Sequence, residues 1–296
     1  MAKKILIVGS QGQLGSDMVE QSINSGYEVT GYDFPQIDIT SKDITVSLAS
    51  RIKPDIIINC SAFTAVDECE SKVNEAFAVN ATGPQNLALA AQENGSLLVH
   101  ISTDYVFDGE KESPYTENDI CTPKSVYGKS KLEGEQRIQS VCNKHQIFRI
   151  AWLYGTKGKN FVKSIRNAAL AKSKQNETLR VVNDQIGTPT YTVEVCRQIL
   201  NTIDHPLYGI FHCTCEGFCS WYDFASVIIK ASDIRVNLEP CTTEEFPRPA
   251  PRPHNSVLEN SRLKKHGINI TSCWEKGFEK FLNEEKLQSI YKRRSI

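Results

Sequence analysis

Apolar residues in the first half of the chain form short unbroken runs separated by longer stretches with helical spacing. The runs have strand length and lie at KILIVG (4–9), EVTGYD (28–33), DIIINC (55–60), LLVHIS (97–102) and QIFRIAW from residue 146. Helical patterns fill the intervals at about 13–24, 72–94 and 127–141. Strands that are apolar throughout are typical of a parallel sheet covered on both faces, with crossovers between the strands. The pattern therefore predicts an α/β fold with a Rossmann-like doubly wound parallel sheet.

The alternation of apolar runs and helical patterns becomes less regular after about residue 150. Helices are predicted at 161–174, 191–203, 220–232 and about 273–287, a strand running into a turn at 180–191, and an extended loop at 246–258, which holds four prolines. We predict two domains. The dinucleotide-binding domain comprises residues 1–151 plus about 177–205, and a smaller C-terminal α/β substrate-binding lobe comprises about 152–176 and 206–290.

The overall charge and composition exclude several classes of function. The 296 residues contain 34 Lys plus Arg and 35 Asp plus Glu, so the net charge of −1 gives no support for binding nucleic acid or a membrane surface. No apolar run approaches the ~20 residues of a membrane helix, and the run Ile5–Val8 is too short for a signal peptide. We therefore expect a cytoplasmic protein whose ten cysteines are free thiols.

A glycine-rich segment follows the first predicted strand and opens the first predicted helix. It reads GSQGQLG and comprises Gly9, Ser10, Gln11, Gly12, Gln13, Leu14 and Gly15. Glycines in this position allow a sharp turn and a close approach to a pyrophosphate at the helix N-terminus. Asp33 ends the second strand, 18 residues after Gly15, where an acidic residue can bind a ribose hydroxyl. Asp33 would repel a 2′-phosphate and no Arg or Lys adjoins it, which favours NADH without excluding NADPH.

A second set of residues suggests carbonyl chemistry. Thr103, within STDYVFDG, directly follows the predicted strand 97–102, and ligands of doubly wound sheets gather at such strand ends. The segment YGKSK places Tyr127 and Lys131 four positions apart, on one face of the next helix. A nearby ammonium lowers the pKa of a phenol, which can then act as a general acid. A dinucleotide site, a hydroxyl and a Tyr-x-x-x-Lys pair together indicate a reductase.

Seven segments carry a resemblance to the extended short-chain dehydrogenases/reductases, and within them to the dTDP-4-dehydrorhamnose reductase family. They are GSQGQLG, TAVDECE (64–70), NATGPQNLA (80–88), STDYVFDG (102–109), YGKSKLEGE (127–135), NDQIGTPT (183–190) and RPHNSVLENSRL (252–263). The resemblance implies reduction of the 4-keto group of dTDP-4-dehydro-6-deoxy-L-mannose by NADH or NADPH, with dTDP-L-rhamnose as the product.

The resemblance also implies roles for particular residues. Tyr127 is the proton donor, Lys131 tunes it and holds the nicotinamide ribose, and Thr103 binds the substrate oxygen. Further cofactor contacts are implied for Asp38, Ile39, Ser61, Ala62, Phe63 and Asn80, with Asn80 supporting Lys131 through water. Substrate contacts are implied for Thr103, Asp104, Trp152 and Arg252. The alternatives are a strand-end turn at 61–63, a core indole at Trp152 and a solvated loop arginine at Arg252.

Two competing functions remain open. A related epimerase or 4,6-dehydratase is one, although Asp104 is followed by Tyr105 and not by the glutamate that the dehydratases carry. A non-catalytic regulatory subunit, similar to the methionine adenosyltransferase β subunit, is the other, and Thr103, Tyr127 and Lys131 weigh against it. The family also implies a magnesium-dependent homodimer. Asp17 occupies one acidic position but Val193 stands where a glutamate is expected, which leaves Mg²⁺ and the dimer open.

Overall fold

The computed structural model describes the backbone of residues 2–294 and the side chains of residues 2–288. Twelve strands lie in this range: β1 (Lys4–Val8), β2 (Glu28–Tyr32), β3 (Ile56–Asn59), β4 (Leu97–Thr103), β5 (His145–Ile150), β6 (Leu153–Tyr154), β7 (Leu179–Val182), β8 (Ile186–Gly187), β9 (Thr190–Tyr191), β10 (Gly209–His212), β11 (Cys219–Ser220) and β12 (Leu238–Cys241).

Eleven α-helices occupy the same range, with a π-helical turn at Ala78–Thr82 and a 3₁₀ turn at Asp104–Val106. The α-helices are α1 (Gln13–Asn24), α2 (Lys42–Ile52), α3 (Val66–Cys69), α4 (Val73–Phe77), α5 (Gly83–Asn94), α6 (Val126–Val141), α7 (Phe161–Gln175), α8 (Thr192–Thr202), α9 (Trp221–Ala231), α10 (Ser261–Lys265) and α11 (Trp274–Arg294). None of the helices in this range is long and apolar enough to cross a membrane.

Six strands form one parallel sheet in the order β10-β5-β4-β3-β1-β2. Successive residues of β1 point to opposite faces: Ile5 and Ile7 belong to an apolar cluster with α1 and α8, whereas Leu6 and Val8 belong to a cluster with α2 and α5. The sheet is therefore covered on both faces, and the predicted doubly wound fold is confirmed.

The strand order reverses at β1, because β2 lies on one side of it and β3 on the other. Such a reversal leaves a crevice beyond the carboxyl ends of the strands, since the following chains turn away in opposite directions. The glycine segment follows β1, residues 60–63 follow β3, and the 3₁₀ turn follows β4. Three of the predicted site segments therefore meet at one edge of the sheet.

A third apolar cluster lies among α7, α9 and α11 and is largely aromatic. Tyr154, Phe224, Trp274, Phe278 and Phe281 form its centre, and all five side chains are at least nine-tenths buried. Tyr154 contacts Phe224 and Phe281 at centroid distances of 5.4 and 5.3 Å. This cluster stabilises the part of the chain that carries β7, β12 and the C-terminal helix.

Strand pairing departs from the predicted domain limits at two places. β10 (Gly209–His212) was predicted within the substrate lobe, but it pairs with β5 and completes the large sheet. β7 (Leu179–Val182) was predicted within the dinucleotide domain, but it pairs with β12 near the aromatic cluster. Both strands have only four residues, so their partners depend on tertiary packing more than on local pattern. The division into two domains otherwise stays a prediction.

Candidate active site

A cleft of about 870 Å³ opens at the carboxyl edge of the large sheet. It is lined by the ends of β1, β3, β4 and β5 and by the start of α6. Fourteen of the residues predicted from the sequence line it: Gly9, Gly12, Gln13, Leu14, Asp33, Asp38, Ile39, Ser61, Ala62, Thr103, Asp104, Tyr127, Lys131 and Trp152. The fold thus brings most of the predicted cofactor and catalytic residues together.

The glycine segment is shaped by close backbone contacts. Gly9 has a φ of +76°, and a Cβ there would lie 2.6 Å from the Ser61 amide nitrogen. A Cβ on Gly15 would lie 1.9 Å from the Gly9 carbonyl oxygen. Helix α1 begins directly at this turn, and its N-cap, Gly12, provides no side-chain cap. Free amides at a helix N-terminus suit an anion, so this turn fits the pyrophosphate of a dinucleotide.

Asp33 lies beside the glycine turn at the end of β2. Its Oδ2 accepts a hydrogen bond from the Gln11 amide at 2.9 Å, and its Oδ1 accepts one from the Phe34 amide at 2.8 Å. These two bonds fix the carboxylate at the cleft wall. Asp38 is fixed similarly, because its Oδ1 accepts hydrogen bonds from the amide and the hydroxyl of Thr40.

Helix α6 positions the tyrosine and the lysine. The helix starts after Ser125, whose hydroxyl accepts a hydrogen bond from the Gly128 amide at 3.1 Å. One turn separates Tyr127 from Lys131, and both side chains line the cleft while remaining 9% and 1% exposed. Thr103 ends β4 opposite them, and its hydroxyl donates to Asp104 Oδ1 at 2.9 Å.

Burial controls the charge of the two helical residues. It raises the pKa of the Tyr127 phenol well above the ordinary value, with the Thr103 side chain opposing the rise. It lowers the pKa of Lys131 to about 8, with the Glu135 carboxylate opposing the fall. The Tyr127 pKa therefore moves in the direction opposite to that expected from a neighbouring ammonium. Lys131 instead directs its Nζ to the Ile101 carbonyl at 2.6 Å and to His100 Nε2 at 3.2 Å.

Asp104 and Trp152 form the part of the cleft predicted for the sugar. Asp104 Oδ2 is buried with no hydrogen-bond partner among the described residues, and burial raises the pKa of this carboxyl to about 6. Trp152 is half-buried, has a φ of +47° and stacks on Trp221 at 3.4 Å and 6°. A Cβ on Gly187 would lie 2.2 Å from this indole. Trp152 therefore forms a wall of the cleft and also packs against the aromatic cluster.

Other predicted residues support the cleft from behind. Ser10, Gln11 and Gly15 belong to the glycine turn but do not line the cavity. Asn80 lies in the π-helical turn, where its Oδ1 accepts from the Phe63 amide at 2.8 Å and its Nδ2 donates to Ser130 Oγ at 3.0 Å. Asn80 thus holds the turn that contains Phe63, and the water-mediated link to Lys131 stays a prediction.

Arg252 lies in a neighbouring pocket of about 180 Å³. Its Nη2 is 2.9 Å from Asp67 Oδ1, so the guanidinium forms an ion pair and is not a solvated loop side chain. Lys124 and His254 line the same pocket, and Tyr105 lines both this pocket and the main cleft. The pocket thus holds three basic side chains and the Asp108 carboxylate next to the cleft, and Lys124 forms an ion pair with Glu110.

The residues around Asp17 do not fit a magnesium site. Asp17 Oδ2 accepts a hydrogen bond from the Thr192 hydroxyl at 2.5 Å, and Oδ1 lies 3.5 Å from the Lys157 ammonium. Val193 packs against the aromatic cluster. No group of three Asp, Glu, His or Cys side chains within the described residues could hold a metal ion. A lysine thus meets the carboxylate that the family resemblance assigned to Mg²⁺.

The structure adds several residues to the site that the sequence patterns do not single out. Phe34, Tyr105 and Lys159 line the cleft, and Asn59 and His100 lie behind Lys131. His100 had a signal, because it interrupts an otherwise apolar central strand. Lys159 had none, since only the folded chain brings its loop to the cleft.

Comparison with known proteins places this site in a family. The family model described as RmlD substrate binding domain matches residues 3–287. A dTDP-4-dehydrorhamnose reductase of Aggregatibacter actinomycetemcomitans is 39% identical and aligns over 93% of this chain and 97% of its own. A crystal structure of a dTDP-4-dehydrorhamnose reductase from Clostridium acetobutylicum is 47% identical, with a TM-score of 0.92 over 96% of this chain and 99% of that one.

A second crystal structure, of the dTDP-4-dehydrorhamnose reductase from Bacillus anthracis in complex with NADP, is 38% identical. Its TM-score is also 0.92, over 96% of this chain and 100% of that one. The likeness extends over almost the full length of each relative. The range matched by the family model, 3–287, contains every residue that lines the cleft. The chain therefore belongs to the RmlD substrate binding domain family.

Proposed function

We propose that this protein is an NAD(P)H-dependent reductase that converts the 4-keto group of dTDP-4-dehydrorhamnose to the alcohol of dTDP-L-rhamnose. The observation that carries the proposal is the convergence of Tyr127, Lys131 and Thr103 beside the glycine turn in one cleft. Relatives of 38–47% identity that are named dTDP-4-dehydrorhamnose reductase support the choice of substrate.

The cofactor would be held by the glycine turn and its neighbours. The N-terminus of α1 and the turn 9–15 suit the pyrophosphate, and Asp33 lies where it can accept hydrogen bonds from a ribose. Ser61 and Ala62 line the same cleft as the glycine turn and Lys131. When bound, the nicotinamide supplies the hydride that the ketone carbon needs.

The side chains supply the proton. Burial keeps the Tyr127 phenol protonated at neutral pH, so it can donate that proton to the oxygen of the ketone. Thr103 lies beside the phenol and can hold the same oxygen by a hydrogen bond. Lys131 has a pKa of about 8, so it can be charged or neutral near physiological pH. Its ammonium form would favour the phenolate of Tyr127 one turn away. The ketone thus becomes a secondary alcohol, with Tyr127 as the proposed acid.

The substrate would span the cleft and the neighbouring basic pocket. Asp104 and Trp152 line the cleft next to Thr103 and suit the hydroxyls and the apolar face of a deoxysugar. Arg252 and Lys124 line the neighbouring pocket, where a diphosphate would compete with Asp67 and Glu110 for these cations. The cytoplasmic location and the homodimer remain predictions.

The direct test follows the oxidation of NADH and NADPH by the purified chain with a panel of nucleotide 4-ketosugars. We expect the highest kcat/KM with dTDP-4-dehydrorhamnose. Absence of oxidation with every ketosugar would favour a non-catalytic role. Oxidised cofactor that survives dialysis would favour an epimerase or dehydratase, because those enzymes retain their cofactor between turnovers.

A further inference from the structure

A chain of buried polar side chains runs behind the cleft to Lys131. Ser61, Asn59, His100 and Lys131 follow one another, and the last three are at most 1% exposed. The parallel register of β3 and β4 places Asn59 opposite His100. Asn59 Nδ2 lies 3.0 Å from His100 Nδ1, and His100 Nε2 lies 3.2 Å from Lys131 Nζ.

The backbone fixes the direction of this chain at Asn59. Asn59 Oδ1 is 3.0 Å from the Ser61 amide nitrogen and 2.6 Å from the Ser61 hydroxyl. A backbone amide can only donate, so the oxygen of the Asn59 amide group must face Ser61. The Nδ2 group of Asn59 therefore faces His100 and donates to it.

His100 can then adopt only one form. Its Nδ1 accepts a hydrogen bond from Asn59 and so carries no proton. An imidazolium would set an N–H against the Asn59 N–H, and burial also lowers the pKa of His100 well below its ordinary value. The ring is therefore neutral, with its proton on Nε2.

The consequence falls on Lys131. Its Nζ donates to the Ile101 carbonyl at 2.6 Å and faces the Nε2–H of His100. An ammonium has no lone pair and cannot accept that hydrogen, whereas an amine can. We propose that His100 is a positioning residue that donates a hydrogen bond to Lys131 and so favours the neutral amine of this lysine in the cofactor-free protein.

The other groups that face Lys131 do not reverse this preference. Glu135, one turn further along α6, favours the ammonium, but its carboxylate is held by Arg149 at 2.9 and 2.6 Å. Cys60 after β3 and Tyr127 on α6 are both kept neutral by burial. The consequence for turnover rests on the function proposed above, whereas the tautomer and the charge do not.

The first test reads the tautomer directly. The full-length chain, labelled with nitrogen-15 histidine, is measured by two-bond proton–nitrogen correlation, and the spectrum of His100→Gln identifies His100 among the six histidines. We expect the Nε2–H form from pH ~6 to ~9. An Nδ1–H form, or an imidazolium at pH ~7, would overturn the proposal.

The second test reverses the chain of hydrogen bonds. Asn59→Asp is nearly isosteric, but a carboxylate beside Nδ1 draws the proton to that nitrogen and makes Nε2 an acceptor. The Lys131 titration is followed at carbon-13-labelled Cε, with Lys131→Arg for assignment. We expect the Lys131 midpoint near pH 8 in the natural chain. In Asn59→Asp we expect this midpoint to rise by about one pH unit, which is a tenfold fall in the acid dissociation constant.

The double variant Asn59→Asp, His100→Gln is the matched control. It keeps the new negative charge but has no imidazole whose proton could move from Nε2 to Nδ1. Most of the rise in the Lys131 midpoint should therefore disappear. A rise of equal size in the single and double variants would mean that charge alone acts, and the proposal would be wrong. If Asn59→Asp fails to fold, the His100 tautomer measured in the natural chain still supports or overturns the proposal.

Discussion

At the scale of single residues, the cleft combines two ionisable side chains whose charged forms are both disfavoured. Burial raises the pKa of Tyr127 and lowers that of Lys131, so each change favours an uncharged group. Reduction needs a proton to be given, and the raised pKa keeps that proton on the phenol but also makes the phenol a weaker acid. At pH ~7 the phenol is therefore neutral, while Lys131, with a pKa of about 8, is still largely protonated.

The first prediction concerns Tyr127→Phe, which removes only the hydroxyl. We expect kcat to fall by about 10²–10⁴-fold, the usual contribution of a general acid, while NADH still binds. Steady-state kinetics and a fluorescence titration with NADH measure the two effects. Tyr105→Phe is the matched control, since Tyr105 packs edge-on against Tyr127 at 5.5 Å and lines the same cleft. An equal loss of kcat in both variants would contradict the assignment of the acid.

The second prediction concerns the choice between NADH and NADPH. Asp33 is held beside the glycine turn by two backbone amides, and its charge would repel a 2′-phosphate. Asp33→Asn keeps the shape and removes the charge, so we expect the ratio of kcat/KM for NADPH to that for NADH to rise by about tenfold or more. Asp43→Asn, at an exposed position of α2, should leave the ratio unchanged. An unchanged ratio in Asp33→Asn would contradict this role.

At the scale of elements, a stack of aromatic rings shapes one wall of the cleft. Trp221 at the start of α9 stacks on Trp152 at a centroid distance of 3.4 Å and contacts Phe161 at 4.2 Å with the rings tilted by 43°, and it does not itself line the cleft. Trp152 holds an unfavourable left-handed backbone conformation, so its neighbours must stabilise it. We infer that the stack, and not Trp152 alone, defines this wall.

The third prediction tests the stack through Trp221→Leu. An aromatic pair contributes about 0.5–1.5 kcal/mol beyond its buried area, so we expect KM for the sugar nucleotide to rise by about 3–10-fold with kcat largely retained. Trp221→Phe keeps a ring against Trp152 and should recover most of the natural KM. A fall in kcat without a change in KM would contradict a role in shaping the substrate wall.

Elements with strong local patterns were predictable from the sequence, and elements defined by their partners were not. The central strands β1, β3 and β4 are short and mostly apolar, and the predicted strands match them to within one residue. Helix α2 was not predicted, because Ile44, Thr45 and Val46 are β-branched and weaken its helical signature. β10 has four residues, and pairing with β5 decides its place.

The same distinction holds within the site. Gly9, Thr103 and Tyr127 lie at strand ends or helix starts, where the motif and the element boundary coincide, and so could be located from the sequence. Arg252 lies in a loop whose position depends on an ion pair with Asp67, 185 residues away in the sequence. No local pattern encodes that contact, so its pocket became apparent only in the folded chain.

At the scale of the whole molecule, the site costs stability in a way that depends on pH. Asp104 is 5% exposed and one of its carboxylate oxygens has no hydrogen-bond partner among the described residues. The pKa of this carboxyl rises from 3.8 to about 6 because burial disfavours the charge. Below pH ~4 the group is protonated in both states and there is no cost. Between pH ~4 and ~6 the unfolded chain releases this proton first, so the cost grows and is complete above about pH 6.

The fourth prediction follows from the direction in which this cost in stability changes with pH. Asp104→Asn removes the buried charge, so its free energy of unfolding should exceed that of the natural chain by about 1–3 kcal/mol above pH ~6.5, and the excess should vanish toward pH ~4. Urea denaturation across this pH range measures it. Asp108→Asn is a control of opposite sign: hydrogen bonds, chiefly from Tyr115, lower the Asp108 pKa, so its loss should destabilise the chain most at neutral pH. A pH-independent difference for Asp104→Asn would mean that the carboxyl is not desolvated in the folded protein.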